Sequence, residues 1–482
     1  MKNKEGYYTR LILWCTPILF FIWNYIGLTQ NCLAGDEPFS YYFAEQSYTK
    51  IIRELLTGNN PPLYEISLHS YTLVFGPSIF KARLLSLIFT SGAVFFTVKT
   101  ANYFFGFKQA LVTAILLLGS NYLLGFSHEI RGYSLLLLLI SAASYFYLSA
   151  IKTKAKLHFI ALVLLNTLML YTHYLSVFVI FCQFITLLIW KKDRLIHLKK
   201  YLLYHIGAII LALPIIINLF SRFKQTEGGK TWLTSPESIV DIYNMIWKFS
   251  NKPFPTVLIL GLFTIGLLQL FRVKKLKFNF PTIHLWLSFP FLFLLIFIIS
   301  FKVPLFLDRY LSIVILSFYL FVAHILVVTF RSKTMFIVSL SVLSISFLVT
   351  KKIYVDNNRH LDVLTQKVKD LREEGQKIIV SDLQLLPAMS YYFDSKNYFK
   401  QTIERSELIQ RKSLEEANIF FTVDFKMETK NPKDLILIEG GEQFTNKNSF
   451  NSVKNIEIQV IEVPEIYKII TFKNQNIKSE TQ

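Results

Sequence analysis

The sequence predicts a polytopic α-helical membrane protein that ends in a small soluble α/β domain. Of its 482 residues, 53% are hydrophobic and 16% are aromatic, and its mean hydropathy is +0.42. This composition is too apolar for one soluble globule, and the apolar residues come in runs long enough to cross a bilayer. After about residue 350 these runs stop, and short strand-like segments replace them.

Eleven apolar runs are candidate membrane spans. The first lacks a small-residue cleavage site and is followed by many similar runs, so we expect an uncleaved span rather than a signal peptide. The stretch 157–190 is too long for one crossing and is interrupted by "YTHY", which predicts a helical hairpin with His173 at its turn. The predicted spans are about 9–28, 82–105, 109–127, 132–150, 157–172, 174–190, 201–220, 254–271, 281–300, 310–330 and 334–350.

The charges predict how these spans are oriented. Residues 1–350 contain 31 Lys and Arg and 12 Asp and Glu, whereas residues 351–482 contain 20 of each kind. If the N-terminus is cytoplasmic, the short inner loops hold 18 basic and 2 acidic residues, which satisfies the positive-inside rule. The net charge of +19 therefore reports membrane orientation rather than nucleic-acid binding. An odd number of spans places the C-terminal tail outside.

The first outer loop, 29–81, contains "GDEPFSYYFAEQSY" and is predicted to form two interfacial helices. Apolar residues from Ala44 to Leu56 recur at helical spacing. The segment "TGNNPPLY" interrupts that helix, and a second helix is predicted to end at Gly76. We expect these helices to frame a cavity with the acidic pair Asp36 and Glu37 at its mouth.

Residues 351–482 have the pattern of a small α/β domain. "HLDVLTQKVKDLREEG" predicts a helix that ends at Gly375. We find no catalytic motif in this domain and expect a packing or acceptor-docking module. Five segments predict short strands: "QKIIVSDL", "NIFFTVDF", "KDLILIEGG", "IEIQVIEV" and "YKIITFK".

Several functional classes lack their motifs. Cys15, Cys32 and Cys182 form neither a paired framework nor a metal-ligand spacing. No P-loop or GxGxxG pattern is present, so nucleotide hydrolysis and nucleotide-sugar binding by those motifs are unsupported.

Five motifs, taken in order, resemble a family. "GDEP", "NPPLYEISLHSYTLVFGPSIFKARLLS", "SHEIRGYSLL", "YTHYLSVF" and "VPLFLDRYLS" are similar to segments of the bacterial membrane glycosyltransferases of the C-type fold (GT-C). This family 39-like group includes protein O-mannosyltransferases and the lipid A aminoarabinose transferase. The resemblance spans residues 1 to about 350, and the tail matches only in its position. It implies transfer of a hexosyl or pentosyl group from a polyprenyl-phosphate donor, such as an undecaprenyl phosphate sugar, to an acceptor at the outer face of the bacterial cytoplasmic membrane.

The resemblance also implies a catalytic pair. Asp36 matches the first-loop aspartate of the family, and a carboxylate there can take the proton of an attacking hydroxyl in an inverting displacement. Glu37 completes the pair and is expected to orient Asp36 or the sugar. The alternative is structural, because Asp36 stands where an N-cap residue precedes "EPFSYY".

Arginines are suited to the leaving lipid phosphate, because the guanidinium offers a fixed fork of donors. Arg131 in "HEIRGY" and Arg309 in "DRY" stand at outer ends of predicted spans, and Arg83 is a third candidate. The alternative for each is an interfacial arginine whose charged end reaches the water.

Sugar or acceptor binding is assigned to residues of the outer loops. Glu129 is the only acidic residue between Glu65 and Asp193, and an ion pair with Arg131 is its alternative role. With arginines at the phosphate, the reaction does not strictly require a metal. The sequence also allows a bound divalent ion, for which Asp36, Glu129 and His69 are the candidate ligands. The full set of expected sugar- or acceptor-binding residues is Glu129, His128, Tyr133, His173, Tyr174 and Tyr310.

Two other functional classes remain open from the sequence. A lipid or glycan flippase or transporter would also be polytopic, but it should show related halves and interrupted spans near the midplane, and the sequence shows neither. A non-catalytic component of polysaccharide assembly would tolerate loss of Asp36. The sequence identifies neither the sugar nor whether the acceptor is a protein, a lipid or a glycan.

Overall fold

The computed structural model divides the chain into two compact units. The membrane unit comprises Met1–Leu28 and Tyr48–Val355, and the C-terminal unit comprises Thr29–Ser47 and Asp356–Gln482. The sequence-based division instead assigns all of 29–81 to the membrane domain. The structure describes residues 2–56, 60–191, 194–226, 234–272, 278–357, 359–382, 385–400, 418–421, 434–440, 456–463 and 467–474.

The described residues include twenty α-helices and five strands. A five-residue π turn, Leu287–Phe291, joins two of the helices. It contains Pro290, which has no N–H to donate to the helical hydrogen bonds. Helix α2 and helices α18 to α20 belong to the C-terminal unit. The helices are α1 (Lys2–Tyr25), α2 (Glu37–Phe43), α3 (Tyr48–Leu56), α4 (Leu63–Phe75), α5 (Ile79–Phe105), α6 (Phe107–Gly119), α7 (Asn121–Ser127), α8 (Tyr133–Thr153), α9 (Lys156–Leu170), α10 (Ser176–Ile189), α11 (Arg194–Thr226), α12 (Val240–Phe249), α13 (Pro253–Arg272), α14 (Phe280–Trp286), α15 (Leu292–Ile299), α16 (Ser312–Thr329), α17 (Lys333–Thr350), α18 (Leu361–Leu371), α19 (Leu386–Phe393) and α20 (Ser395–Lys400).

The membrane unit is a bundle of apolar helices, as predicted. Among the described residues, six helices are long and apolar enough to cross a membrane, or eight if each of two bent pairs is one span. The pairs are α6 with α7, bent by 61°, and α12 with α13, bent by 109°. Helices α1, α9 and α10 occupy the other three predicted spans. The count of eleven stays a prediction.

Hydrogen bonds between buried side chains join three helices of this bundle. Asn166 on α9 donates to Gln183 Oε1 on α10 over 2.8 Å, and Gln183 Nε2 donates back to Asn166 Oδ1 over 3.2 Å. Tyr201 on α11 donates to the same Gln183 oxygen over 3.0 Å. Such bonds between polar side chains help membrane helices to associate, because lipid provides no hydrophobic drive for it. They fix the α9–α10 hairpin, which carries His173 at its turn as predicted.

The structure of residues 29–81 differs from its prediction. The sequence predicts one helix through 44–56, but the structure has α2 and α3, with residues 44–47 between them. The break follows from the division of the chain, because α2 packs within the C-terminal unit and α3 within the membrane unit. Helix α4 ends before Gly76, whose φ of 77° lies in the left-handed region that glycine tolerates.

The C-terminal unit contains a five-stranded mixed sheet. Four of its strands lie within segments that the sequence predicts, and β5 extends one residue beyond its predicted segment. The strand order is β2–β1–β3–β5–β4. Strand β1 is parallel to β2 and β3, whereas β5 is antiparallel to β3 and β4. Alternate residues of β3 enter two apolar clusters, so that strand is buried on both faces. The strands are β1 (Lys377–Val380), β2 (Ile419–Phe421), β3 (Leu435–Gly440), β4 (Ile456–Val463) and β5 (Tyr467–Asn474).

Candidate active site

The rings of three predicted site residues lie next to one another in the membrane unit. The ring centroid of His173 lies 5.7 Å from that of Tyr133 and 5.6 Å from that of Tyr310. Tyr133 begins α8, His173 occupies the α9–α10 turn, and Tyr310 lies just before α16. Residues remote in sequence therefore meet where three helical segments begin or end.

Two of the three arginines predicted to bind phosphate act on this cluster electrostatically. Burial, and then the positive charges of Arg131 and Arg309, lower the pKa of His173 from 6.5 to about 4. His173 is therefore neutral near pH 7. Its Nδ1 accepts a bond from the Leu175 amide over 3.2 Å, which assigns the ring proton to Nε2. A neutral imidazole beside two guanidinium groups can hydrogen-bond a sugar or phosphate oxygen without adding a third positive charge.

The short loop between α7 and α8 fixes Arg131. The Arg131 amide donates to the Glu129 carbonyl over 2.9 Å, and the same carbonyl accepts from Ser86 Oγ over 2.8 Å. Arg131 is 8% exposed, and one of its guanidinium nitrogens lies 3.5 Å from Asn60 Oδ1. Arg131 is thus an almost enclosed cation on a pinned loop rather than a side chain that extends freely into water.

Arg309 is held next to an ion pair that the sequence does not predict. The Asp308 carboxylate contacts Lys248 Nζ over 2.8 Å and accepts the Arg309 amide over 2.8 Å. Burial alone would raise the pKa of Asp308, but the Lys248 bond and charge, together with Arg309, hold it below its usual value. Tyr122 also donates to the Asp308 carbonyl. These contacts orient the segment from which Arg309 projects, with its guanidinium carbon 5.7 Å from the centre of the Tyr310 ring.

Arg83 and His128 lie together, but around the end of α1. Arg83 is 1% exposed and donates to the Leu28 carbonyl over 3.2 Å. His128 Nε2 lies 2.6 Å from the Asn24 carbonyl oxygen. Burial lowers the pKa of His128 to about 4; the Asn24 bond opposes this shift, and the charges of Arg83 and Lys351 add to it. The three predicted arginines are therefore divided, with Arg131 and Arg309 acting on His173 and Arg83 on His128.

The other predicted residues of the membrane unit have separate partners. The Tyr174 hydroxyl accepts a bond from Asn218 Nδ2 over 2.8 Å. His69 packs edge-on against Tyr48 with ring centroids 4.5 Å apart. Glu129 is half-buried next to Arg131 in the loop. Within the described ranges no group of three or more His, Cys, Asp or Glu side chains could hold a metal ion.

Asp36 and Glu37 belong to the C-terminal unit. Asp36 is exposed and occupies the N-cap position of α2, but its side chain makes no capping hydrogen bond. The structural alternative for Asp36 therefore lacks its defining contact. Glu37 is buried, and its Oε2 accepts the Ala34 amide over 3.3 Å. The two carboxylates thus have different surroundings, one facing outwards and one closing its own turn.

Comparison with known proteins supports the resemblance. Residues 59–219, about a third of the chain, match the model of a family described as dolichyl-phosphate-mannose-protein mannosyltransferase. This range contains Arg83, Arg131 and His173, and excludes Asp36 and Arg309. No curated protein matches the chain.

Solved structures share the fold over nearly the whole chain. ArnT from Cupriavidus metallidurans in the apo state is 12% identical with a TM-score of 0.60, covering 96% of this chain and 98% of that one. The same protein bound to undecaprenyl phosphate gives a TM-score of 0.58 at 12% identity, covering 96% and 97%. The Archaeoglobus fulgidus oligosaccharyltransferase in complex with Zn and sulfate is 10% identical with a TM-score of 0.50, covering 96% and 73%. The predicted resemblance to membrane glycosyltransferases of the C-type fold is confirmed.

Proposed function

We propose that this chain is a bacterial inner-membrane glycosyltransferase that moves a sugar from a polyprenyl-phosphate donor to an acceptor on the periplasmic side. The observation that carries the proposal is the pair Arg131 and Arg309, whose positive charges act on neutral His173, in a chain with the fold of ArnT, a protein solved with undecaprenyl phosphate bound. The N-terminus is then cytoplasmic, and the C-terminal unit is periplasmic.

The proposed reaction is a single inverting displacement. The acceptor hydroxyl oxygen forms a bond to the anomeric carbon as its proton passes to the Asp36 carboxylate. On the opposite face, the bond between the anomeric carbon and the phosphate oxygen breaks, and the polyprenyl phosphate leaves with the electron pair. Arg131 and Arg309 stabilise the charge that grows on this phosphate. Neutral His173 and the two tyrosines beside it bind sugar hydroxyl groups.

The donor class can be tested with purified protein. A polyprenyl-phosphate sugar, supplied in detergent or vesicles, should give a new glycosidic product that mass spectrometry detects, with release of polyprenyl phosphate. A nucleotide sugar supplied alone should give none. Direct use of the nucleotide sugar would overturn the assignment of a lipid donor.

A transporter remains the second candidate because of one observation. The bent pairs α6–α7 and α12–α13 are interruptions of the kind that transporters also contain. A transporter would move the lipid across the bilayer and return it chemically unchanged. The same product analysis therefore distinguishes the two functions.

A further inference from the structure

Residues 29–47 are folded into the C-terminal unit although they lie between two helices of the membrane unit in sequence. Cys32 and Ala34 belong to the apolar core of the C-terminal unit, together with residues of α18, α19 and the sheet. Asn357 Nδ2 donates to the Cys32 carbonyl over 3.0 Å, and the Leu361 amide contacts Cys32 Sγ over 3.3 Å. The segment that leads to Asp36 is thus part of this core.

Two tyrosine hydroxyl groups bond the backbone on either side of Asp36. The Leu33 amide donates to Tyr392 Oη over 2.6 Å. The Tyr398 hydroxyl donates to the carbonyl of Pro38, two residues after Asp36. Tyr398 is 3% exposed, and burial raises its pKa well above 10, so its hydroxyl stays a donor at any working pH.

The aromatic residues of α2 pack against α19 and α20. The Tyr41 ring lies 5.5 Å from Tyr391 and 5.4 Å from Phe399, and Tyr42 lies 5.8 Å from Tyr398. Both α2 and α19 contain the sequence "SYYF", at 40–43 and 390–393. Gln46 Nε2 donates to the Phe399 carbonyl over 3.0 Å just beyond the end of α2. Both ends of this short helix are therefore attached to C-terminal elements.

The stability of α2 depends on these contacts. A helix of seven residues is far below the roughly 12–15 residues that an isolated helix needs for even marginal stability in water. The turn before it depends on Gly35, whose φ is 59°, and on Glu37, whose amide donates to the Ala34 carbonyl over 3.2 Å. The direction in which Asp36 points is thus determined by the surface on which α2 is docked.

We infer that the C-terminal unit positions Asp36 for catalysis, with Tyr392 and Tyr398 as positioning residues that clamp the backbone around it. This inference rests on the proposed function, because it takes Asp36 as the general base. It gives residues 356–482 a role in turnover that packing or acceptor docking alone would not require. Removing one clamp should let Asp36 move relative to the acceptor hydroxyl, and small misplacements of a reacting group are costly in rate.

The test is a double-substitution cycle in the full-length enzyme. Tyr398→Phe keeps the ring and removes only the donor to Pro38, so kcat should fall on the order of 10-fold with the donor KM nearly unchanged. In an Asp36→Asn background, the same change should alter the residual turnover by less than about 2-fold, since no base is left to misplace. Hydrogen exchange should rise in the 39–44 amides of Tyr398→Phe.

Tyr467→Phe is the matched control. Tyr467 is a buried tyrosine of β5 in the same unit. Among the described residues, its hydroxyl forms no hydrogen bond with any residue of 29–47. This variant should keep both the wild-type kcat and the wild-type exchange of the 39–44 amides. If Tyr398→Phe does not fold, Tyr392→Phe removes the clamp on Leu33 and should give the same kinetic pattern.

The possible failures can be told apart. If Tyr398→Phe lowers kcat by the same factor with and without the Asp36 carboxylate, Tyr398 does not act by positioning Asp36. That result would leave the assignment of Asp36 as the base intact. A fully active Asp36→Asn enzyme would instead overturn the proposed base itself. Unchanged kcat and exchange in Tyr398→Phe would show that the clamp has no effect on Asp36.

Discussion

At the scale of single residues, His173 illustrates how charge and burial define a candidate site. A neighbouring carboxylate would favour the protonated form of an imidazole. His173 instead packs against two tyrosine rings, and the charges of two arginines lower its pKa. The resulting neutral ring can donate from Nε2 while the arginines keep their charge for a phosphate. The arrangement suits an anionic ligand with neutral hydroxyl groups, as a sugar phosphate has.

The depressed pKa of His173 predicts a pH dependence of stability. The unfolded chain binds a proton near pH 6.5 and the folded chain only near about 4, so stability should fall as pH decreases through this window. The melting temperature in detergent should therefore drop between about pH 7 and about pH 5. His173→Gln should make that drop shallower, and an unchanged slope would contradict the neutral state of His173.

Arg131 and Arg309 predict a difference between arginine and lysine. Replacing either by Ala should lower kcat/KM for the lipid donor on the order of 10²-fold, while Lys should restore only part, because a point charge lacks the two-pronged contact to phosphate. Arg53→Ala is a matched control, since the Arg53 side chain is 70% exposed and paired with Glu54. Normal donor kinetics in both alanine variants would exclude a role in phosphate binding.

At the scale of elements, the α9–α10 hairpin depends on the reciprocal amide bonds between Asn166 and Gln183. Gln183→Leu should leave the Asn166 amide and the Tyr201 hydroxyl without this partner and cost about 1–3 kcal/mol of unfolding free energy. The double variant Asn166→Leu, Gln183→Leu should cost less than the sum of the single changes, because it leaves fewer unpaired groups. Denaturant unfolding in detergent measures both; strict additivity would contradict the coupling.

How much could be predicted from sequence differs between elements. The apolar helices and the five strands could be located because hydrophobic periodicity is a local signal. The break between α2 and α3 could not be predicted, because helical apolar spacing continues across it. The break arises from the packing of α2 against α19 and α20, which are distant in sequence. The Asp308–Lys248 pair was missed for a similar reason, since its members are 60 positions apart. The arginines and His173 were recognisable from motif resemblance, but their grouping required the fold.

At the scale of the whole molecule, the orientation of the chain rests on its charge asymmetry. Residues 1–350 carry the entire excess of positive charge, and the predicted inner loops hold 18 of their 31 basic residues. A reporter fused after residue 350 should therefore be active only in the periplasm, and one inserted in 191–200 only in the cytoplasm. A cytoplasmic signal from the C-terminal fusion would contradict the periplasmic placement of the C-terminal unit and of Asp36, which belongs to that unit.

The measurement that tests the proposed reaction most directly is the turnover of Asp36→Asn with a polyprenyl-phosphate sugar. Asparagine keeps the size of the side chain and can cap a helix as well as aspartate, but it cannot accept the proton, so kcat should fall by about 10²–10⁴-fold with donor binding nearly unchanged. Glu37→Gln should lose less, because glutamine can still accept the Ala34 amide that Glu37 binds. A well-folded Asp36→Asn enzyme with wild-type turnover would contradict general-base catalysis by Asp36.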